Sequence, residues 1–317
     1  MYKVAIIGAG QLGSRHLQGL KGAASPLEIT VMDSSEESLQ VSKERYDAVS
    51  AVGEKNICYV KSIQELPEEL DFALIATGSK PRAAIVKSLL DHSSVKYLVL
   101  EKVLFPVIAE YDEIAELLKE KGVRCWVNCP RRMFGMYKHI KESIEVSKPI
   151  YMTNAGENWG LCCNAIHMID IFMYLTGEKS YTIETKWLNN RIETSKRGGY
   201  IEMTGLLKIN TPNGSELTLI SENDFTGERN FLIENGENRY MVVEGEGFIL
   251  RNDKYAYSTP YQSQLTGLLV DELLKTGGCS LSPYELSVTY HKPFIKAILD
   301  KYNELIGDVN NKLLPIT

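Results

Sequence analysis

The sequence predicts two domains: an α/β domain built on a parallel sheet, followed by an α+β domain with a mostly antiparallel, open sheet. Up to about residue 128, short apolar runs alternate with amphipathic segments, as in a parallel sheet covered by helices on both faces. From residue 181 to 257, runs with a period of two are separated by turn pairs such as Asn213-Gly214, Asn235-Gly236 and Asn252-Asp253. That segment predicts roughly four to seven antiparallel strands. We therefore assign residues 1–128 to the first domain and 129–317 to the second.

Apolar periodicity and helix-boundary residues give the remaining elements in chain order. Pro81 at a helix start and Gly122 just after a helix end are typical of those positions. In the first domain, strands are predicted at residues 4–7, 28–32, 56–60, 72–76, 96–100 and 123–127, and helices at 12–20, 35–45, 62–66, 81–90 and 109–121. In the second, helices are predicted at 133–146, 165–175, 264–275 and 283–302, with an extended segment at 151–158.

The composition excludes several classes of protein. The 317 residues are 44% hydrophobic and 24% charged, which is ordinary for a globular chain with two cores. A net charge of −6 provides no basic surface for nucleic acid or for an anionic membrane. No apolar run approaches a transmembrane length, and the N-terminus enters a strand without a signal-peptide pattern. We expect a cytoplasmic protein with reduced cysteines and no metal site.

The first strand leads into a glycine-rich turn, Gly8-x-Gly10-x-x-Gly13, which is followed by a helical pattern. In a dinucleotide-binding βαβ unit, the first glycine allows a tight turn, the second admits a pyrophosphate, and the third lets helix and strand pack closely. The helix start offers free N–H groups and the positive end of its dipole to the phosphates. The alternative is an ordinary glycine-rich turn. We predict a Rossmann domain that binds its cofactor through these glycines and the intervening Gln11 and Leu12.

Asp33 ends the second predicted strand, twenty residues after Gly13, where a dinucleotide-binding unit carries its acidic residue. Its carboxylate can accept hydrogen bonds from both hydroxyls of an adenosine ribose and would repel a 2′-phosphate. Ser34 and Ser35 follow, and no Arg or Lys stands beside them in the sequence to bind that phosphate. NAD is therefore favoured over NADP.

Two further motifs carry a resemblance to a known family. Glu101-Lys102 follows the fifth predicted strand, and the segment from Cys163 to Asp170 opens a helix in the second domain. With the glycine triplet and Arg15-His16, these motifs resemble the Gfo/Idh/MocA oxidoreductases, which include glucose–fructose oxidoreductase and inositol dehydrogenases. The resemblance covers the whole chain in order and spacing. It implies a Rossmann domain followed by a substrate-binding and oligomerisation domain.

The resemblance also assigns roles to single residues. Lys102 matches the family lysine and His167 the family histidine, which face the substrate oxygen beside the nicotinamide. Asn164 stands where an aspartate is common and can orient a hydroxyl but cannot exchange a proton. Val103 replaces the usual proline, and Arg82 falls near where relatives often carry a histidine.

Each of these residues could instead have a purely structural role. Lys102 could be a solvated lysine paired with Glu101, and His167 could be a core histidine. Asp170, three residues after His167, could orient the imidazole or cap structure. We predict Lys102 and His167 as catalytic, and Asn164, Glu101 and Arg132 as substrate-binding. The loop at Thr77 is expected near the nicotinamide ribose, and Lys102 also contributes to the cofactor site.

We expect an NAD(P)-dependent oxidoreductase acting on a hydroxyl or carbonyl carbon of a sugar, cyclitol or sugar derivative in the cleft between the domains. An arginine facing that cleft would suit an anionic or nucleotide-linked substrate. The alternatives are a non-catalytic NAD-binding regulator and an NAD-dependent glycosidase or lyase that oxidises transiently. The expected partners are a small carbohydrate and further copies of the chain, as a homodimer or homotetramer, without nucleic acid or membrane.

Overall fold

The computed structural model describes residues 1–227, 230–246, 248–250, 254–257 and 259–317. The helices are α1 Gln11–Leu20, α2 Glu36–Asp47, α3 Ser79–His92, α4 Ala109–Glu120, α5 Gly135–Ser143, α6 Leu161–Thr176, α7 Gln262–Thr276 and α8 Tyr284–Ile306. Short 3-10 helices lie at Ile63–Glu65, Pro130–Met133 and Glu244–Glu246. The strands are β1 Tyr2–Ile7, β2 Leu27–Met32, β3 Lys55–Val60, β4 Glu69–Ile75, β5 Ser94–Glu101, β6 Arg124–Asn128, β7 Ile150–Glu157, β8 Thr182–Leu188, β9 Glu193–Thr194, β10 Ile201–Glu202, β11 Gly205–Asn210, β12 Glu216–Glu222, β13 Asn230–Asn235, β14 Asn238–Val243, β15 Phe248–Leu250, β16 Lys254–Ala256 and β17 Ser282–Pro283.

The chain forms two compact units. The first consists of Met1–Phe105, Ala109–Asn128 and Pro260–Tyr284, and the second of Pro106–Ile108, Cys129–Thr259 and Glu285–Thr317. The predicted boundary after residue 128 coincides with one break between the units. The assignment of residues 260–284 to the second domain is corrected, because α7 and β17 pack within the first unit.

Backbone contact between α1 and α7 explains this correction. A Cβ atom on Gly267 would lie 2.5 Å from the carbonyl oxygen of Gly19 and 2.6 Å from the nitrogen of Ala23. Two helices can approach this closely only where a side chain is missing. The Asp271 carboxylate adds hydrogen bonds from the backbone N–H groups of Ala24 (2.6 Å) and Ser25 (3.0 Å). A pair of glycines so far apart in sequence gives no local signal, so the periodicity alone could not assign α7.

The first unit is the expected parallel sheet with helices. Its strand order is β17-β6-β5-β4-β1-β2-β3, with β1 to β6 parallel and β17 antiparallel at one edge. The central strands are buried on both faces, which explains their continuous apolar runs at Val4–Ile7, Phe72–Ile75 and Leu98–Leu100. The strand order reverses between β1 and β4, and ligands bind such sheets at the carboxyl ends of the strands flanking that point.

The second unit contains an eight-stranded, mostly antiparallel sheet, which confirms the predicted fold class. Its order is β16-β15-β14-β13-β7-β12-β11-β8, and only β7 and β12 among these described strands pair in parallel. Asn235-Gly236 joins β13 to β14, and Asn213-Gly214 joins β11 to β12, as expected. The turn predicted at Asn252-Asp253 lies outside the described residues.

One face of this sheet carries partly exposed apolar side chains, and we keep the prediction that the protein self-associates. Tyr151, Trp187, Leu232 and Met241 are between 42% and 49% exposed. Because water is excluded when such side chains pack together, a homodimer or homotetramer is expected. Light scattering at micromolar concentration should give at least twice the mass of the chain, and Leu232→Glu should lower that mass. A monomeric wild-type protein would contradict the prediction.

Two other expectations concern single chemical features. Within the described part of the chain, no helix has the length and apolarity needed to cross a bilayer. The cysteines are free thiols: Cys125, Cys129, Cys162 and Cys163 are buried, Cys279 is half-buried and Cys58 is exposed.

Candidate functional site

The glycine turn between β1 and α1 has the tight geometry that its sequence predicts. Gly8 has a φ of +93°, a conformation that favours glycine. A Cβ atom there would lie 2.9 Å from Cγ2 of Thr77, so the loop after β4 packs directly on this turn. A Cβ atom on Gly13 would lie 1.8 Å from the carbonyl oxygen of Gly8. Gly8 and Gly13 are therefore required by the chain's own packing.

Gly10 differs from the other two glycines. No protein atom lies within 4 Å of the position its Cβ would take. Gly10 is the N-cap of α1, no side chain caps the helix, and its first turn contains no acidic residue. A bare helix start with the positive end of its dipole fits a diphosphate, and a glycine at its cap leaves room for one. These features fit the dinucleotide that the sequence predicts.

Asp33 lies at the end of β2 and is tied to the glycine turn. Its Oδ2 accepts a hydrogen bond from the Ala9 backbone N–H (2.7 Å), and its Oδ1 accepts one from Ser35 (2.9 Å). Each carboxylate oxygen has two lone pairs, so both oxygens can still accept from a ribose hydroxyl. The half-buried side chain is thus held rigidly beside the turn.

The structure adds a cation that local sequence reasoning missed. Arg45, near the end of α2, donates from Nη2 to Oε1 of Gln11 (2.6 Å) and from Nη1 to Oγ of Ser14 (2.6 Å). The guanidinium therefore lies against the start of α1, although twelve residues separate Arg45 from Asp33 in sequence. The residues that adjoin Asp33 in the sequence do not reveal this cation, because Arg45 reaches the start of α1 only through the packing of α2 against α1.

Arg82 joins the segments that follow β4 and β5. Its side chain is almost fully buried and donates to the backbone carbonyl oxygens of Thr77, Val103 and Leu104 (the last at 2.8 Å). Burial of a guanidinium is costly unless its donors are paired, and here both terminal nitrogens donate to backbone oxygens. Arg82 therefore fixes the predicted cofactor loop and the chain after Lys102 relative to each other.

Lys102 lies directly after β5, at the carboxyl edge of the parallel sheet. Lys102 is only 7% exposed, so it is not a solvated surface lysine. The peptide bond between Lys102 and Val103 is cis. A lysine buried at the edge where such sheets bind ligands is suited to contact a bound molecule.

The neighbouring Glu101 is engaged inside the protein. Its Oε1 lies 2.8 Å from Nε2 of His16 and accepts from Nδ2 of Asn128 at 2.5 Å. Nδ1 of His16 lies 2.9 Å from Oγ1 of Thr266, and Gln262 accepts from Asn128 at 3.1 Å. We call these five residues the Glu101 cluster. The sequence suggested substrate binding for Glu101, but this geometry indicates a structural part for its carboxylate.

The charge of Glu101 depends on that cluster. Burial is the largest single effect and raises the pKa of the Glu101 carboxyl group. The hydrogen bond and charge of His16, the hydrogen bond of Asn128 and the charge of Lys102 lower the pKa, and together they outweigh burial. The net pKa lies below the ordinary value for a glutamate. Glu101 is consequently ionised at neutral pH, directly beside Lys102 in the chain.

In the second unit, α6 carries the other predicted residues. Asn164 and His167 are half-buried, whereas the residues between and around them are buried. Their spacing of three places them on one face of the helix. The Asn164 amide donates to the Trp159 carbonyl oxygen (2.9 Å), and Glu202 accepts from the N–H groups of Cys162 and Cys163 at the helix start. His167 is thus partly exposed as a residue, although its Nδ1 atom is buried.

Arg132 and Asp170 form a bidentate ion pair in the second unit. Nε of Arg132 lies 2.7 Å from Oδ2 of Asp170, and Nη2 lies 2.9 Å from Oδ1. Burial alone lowers the pKa of Arg132, but Asp170 outweighs it and the net pKa is raised. Asp170 could either orient His167 or have a structural role. Its ion pair with Arg132 favours the structural role. Substrate binding by Arg132 remains a prediction.

Comparison with family models gives the identity of the first unit. Residues 2–129 match the Gfo/Idh/MocA model, an oxidoreductase family with an NAD-binding Rossmann fold. This segment belongs to the Gfo/Idh/MocA family. The match covers the glycine turn, Asp33, Thr77 and Lys102. The resemblance seen in the sequence is thus confirmed, and the chain is an oxidoreductase that uses a nicotinamide dinucleotide.

Solved structures share the fold over nearly the whole chain. Biliverdin reductase from Synechocystis, in complex with biliverdin and NADP+, is 17% identical with a TM-score of 0.70, covering 94% of this chain and 98% of that one. An Agrobacterium radiobacter oxidoreductase in complex with NAD+, L-tartaric acid and magnesium is 14% identical with a TM-score of 0.71 (96% and 97% covered). Myo-inositol dehydrogenase from Lactobacillus casei, in complex with NAD(H) and myo-inositol, is 17% identical with a TM-score of 0.67 (95% of each chain). At these identities, the likeness shows the Gfo/Idh/MocA fold alone. No curated protein matches the sequence.

Proposed function

We propose that this protein is an NAD-dependent dehydrogenase that acts on a hydroxyl-bearing carbon of a sugar, cyclitol or related polyol. The observation that carries the proposal is the buried Lys102 at the carboxyl end of β5, in the same sheet edge as the dinucleotide turn. A nearby ammonium stabilises the negative charge that develops on the substrate oxygen as its O–H proton is removed or, in the reverse direction, as hydride adds to the carbonyl carbon. Myo-inositol is bound by one structural neighbour, which supports a polyhydroxylated substrate.

In the proposed reaction, the cofactor and the side chains of the site have separate roles. The nicotinamide, when bound, supplies or accepts the hydride. Lys102 polarises the substrate oxygen through its ammonium. His167 exchanges the hydroxyl proton, and Asn164 offers an amide that orients a further hydroxyl without exchanging a proton. The Gly8 turn and α1 hold the diphosphate.

The choice of NAD over NADP rests on Asp33. Asp33→Asn should lower NAD affinity about tenfold or more, because a hydrogen bond to a charged group is worth about 1.5–3 kcal/mol. It should also relax discrimination against NADP, because the charge that repels the 2′-phosphate is lost. Calorimetric titration with both dinucleotides measures this. Asp71→Asn is the control, because the Asp71 carboxylate on β4 accepts a hydrogen bond from the Lys3 backbone N–H, at the opposite end of β1 from the glycine turn. Equal affinity of the wild-type protein for NAD and NADP would refute this role.

The proposed reaction is tested by a panel of substrates. The purified protein is incubated with NAD or NADP and with sugars, cyclitols, sugar acids and nucleotide sugars, and reduced nicotinamide is followed by absorbance. Reduction of NAD by at least one polyol is expected. Tight dinucleotide binding without turnover of any compound would instead favour a regulator. Because one neighbour binds biliverdin, the panel includes biliverdin with both reduced cofactors, and exclusive activity there would contradict the proposal.

A further inference from the structure

The Glu101 cluster is a buried group of polar side chains, and apolar side chains at these positions would avoid its desolvation cost. His16, Glu101, Asn128 and Thr266 are at most 3% exposed, and Gln262, the fifth member, is half-buried. Burying an ion and its partners carries a large desolvation cost, and apolar replacements of similar shape are often neutral or stabilising. Stability of the fold therefore gives no sufficient reason for these residues.

The position of the cluster suggests another reason. Its members come from α1, the last residue of β5, the last residue of β6 and the first turns of α7, so they meet at the carboxyl edge of the sheet. Glu101 is covalently joined to Lys102. Fixing the Glu101 side chain at two donors fixes the backbone from which the Lys102 side chain begins.

We propose that His16, acting through Glu101, is a positioning residue that holds the Lys102 ammonium in its productive place. The inference rests on the proposed catalytic role of Lys102. Residues that orient a catalytic group are themselves held by packing and hydrogen bonds, and a displacement of about 1 Å can cost a hundredfold in rate. His16 touches no substrate, and its effect passes through the Nε2–Glu101 bond.

The two ring nitrogens of His16 allow a sharp experiment. Nε2 faces Glu101 (2.8 Å) and Nδ1 faces Thr266 (2.9 Å). A glutamine amide nitrogen reaches the place of Nε2, whereas an asparagine amide nitrogen reaches only the place of Nδ1. His16→Gln therefore keeps the bond to Glu101, and His16→Asn loses it. Both variants remove the ring and reduce packing.

Steady-state kinetics of the two variants, with the active polyol and NAD, test the proposal. His16→Asn is expected to lower kcat about tenfold to a hundredfold with KM for NAD unchanged, and His16→Gln to stay within about threefold of wild type. Equal losses in both variants would assign His16 to packing and overturn the proposal, as would unchanged kcat in both. His92→Asn is the matched control, because Nε2 of its ring donates to the Leu66 carbonyl oxygen (2.9 Å), away from the cluster.

If His16→Asn does not fold, Asn128→Ala takes its place, because it removes the other donor to Glu101. It should lower kcat in the same way, and a normal kcat in this folded variant would overturn the proposal. Crystal structures separate this inference from the proposed function. If wild-type protein oxidises no polyol, the proposed function fails, yet a Lys102 ammonium displaced by about 1 Å in His16→Asn but not in His16→Gln still supports positioning. An unmoved Lys102 in both variants contradicts it.

Discussion

Lys102→Ala is expected to lower kcat by about a hundred- to ten-thousand-fold, the range for loss of a positioned acid–base or electrostatic group. The substitution removes the ammonium that directly follows Glu101 at the end of β5, and the oxygen of the substrate then loses its stabilising partner. NAD affinity should change by no more than about threefold, because the diphosphate and ribose are assigned to the glycine turn and Asp33.

The measurement combines steady-state kinetics with calorimetric titration of NAD. Lys96→Ala is the matched control, since Lys96 lies on the same strand but is exposed. It should leave both kcat and NAD affinity unchanged. A Lys102→Ala enzyme with near-normal kcat would remove Lys102 from the reaction, whereas loss of NAD binding alone would restrict it to the cofactor site.

His167→Ala and Asn164→Ala belong to the same series. A histidine that exchanges the substrate proton should, when removed, lower kcat by a similar factor, with a changed pH dependence of kcat. Asn164→Ala should act mainly on KM, because an amide can hold a hydroxyl but cannot transfer a proton. If His167→Ala retains full activity, Lys102 must work with a different acid–base group.

Gly13→Ala is expected to destabilise the protein and to abolish dinucleotide binding. Its Cβ would lie 1.8 Å from the Gly8 carbonyl oxygen, so the turn must open or α1 must shift. Overpacking of this kind costs about 1–3 kcal/mol of unfolding free energy, and a displaced turn no longer presents its N–H groups to a diphosphate.

Gly10→Ala is the matched comparison for that variant. No protein atom lies within 4 Å of its Cβ, so thermal unfolding should show a Tm near that of wild type. NAD affinity should nevertheless fall about tenfold, equivalent to about 1.4 kcal/mol, because the methyl group would meet the diphosphate. Unchanged NAD affinity in Gly10→Ala would contradict the placement of the diphosphate at this helix start.

The parts of the site that sequence predicts are those built from neighbouring residues. The glycine turn, its helix and Asp33 form one βαβ unit, so spacing alone identifies them. The Glu101 cluster could not be predicted, because His16 and Thr266 are 250 residues apart and meet only through α7. The roles of Asp170 and Arg132 likewise depend on one long-range ion pair, between residues 38 positions apart in the sequence.

Fold class was accessible for a similar reason. Buried parallel strands leave continuous apolar runs and hairpins leave turn pairs, and both are local patterns. The sequence could not show that residues 260–284 belong to the first unit, because that depends on the close approach of Gly267 to Gly19. The shape of a contact between two helices leaves no period in either helix.

Transfer of deuterium from the cofactor to a substrate carbon distinguishes a dehydrogenase from a protein that only binds NAD. NADH carrying deuterium at both C4 positions of the nicotinamide is incubated with the wild-type protein and a mixture of keto-sugars and oxidised cyclitols, and the products are analysed by mass spectrometry. We predict a reduced product with deuterium bound to the carbon that bears the new hydroxyl, formed at least about a hundredfold more slowly with Lys102→Ala. Product that forms without deuterium, or no reduced product from any carbonyl compound while NADH binds tightly, would contradict the account.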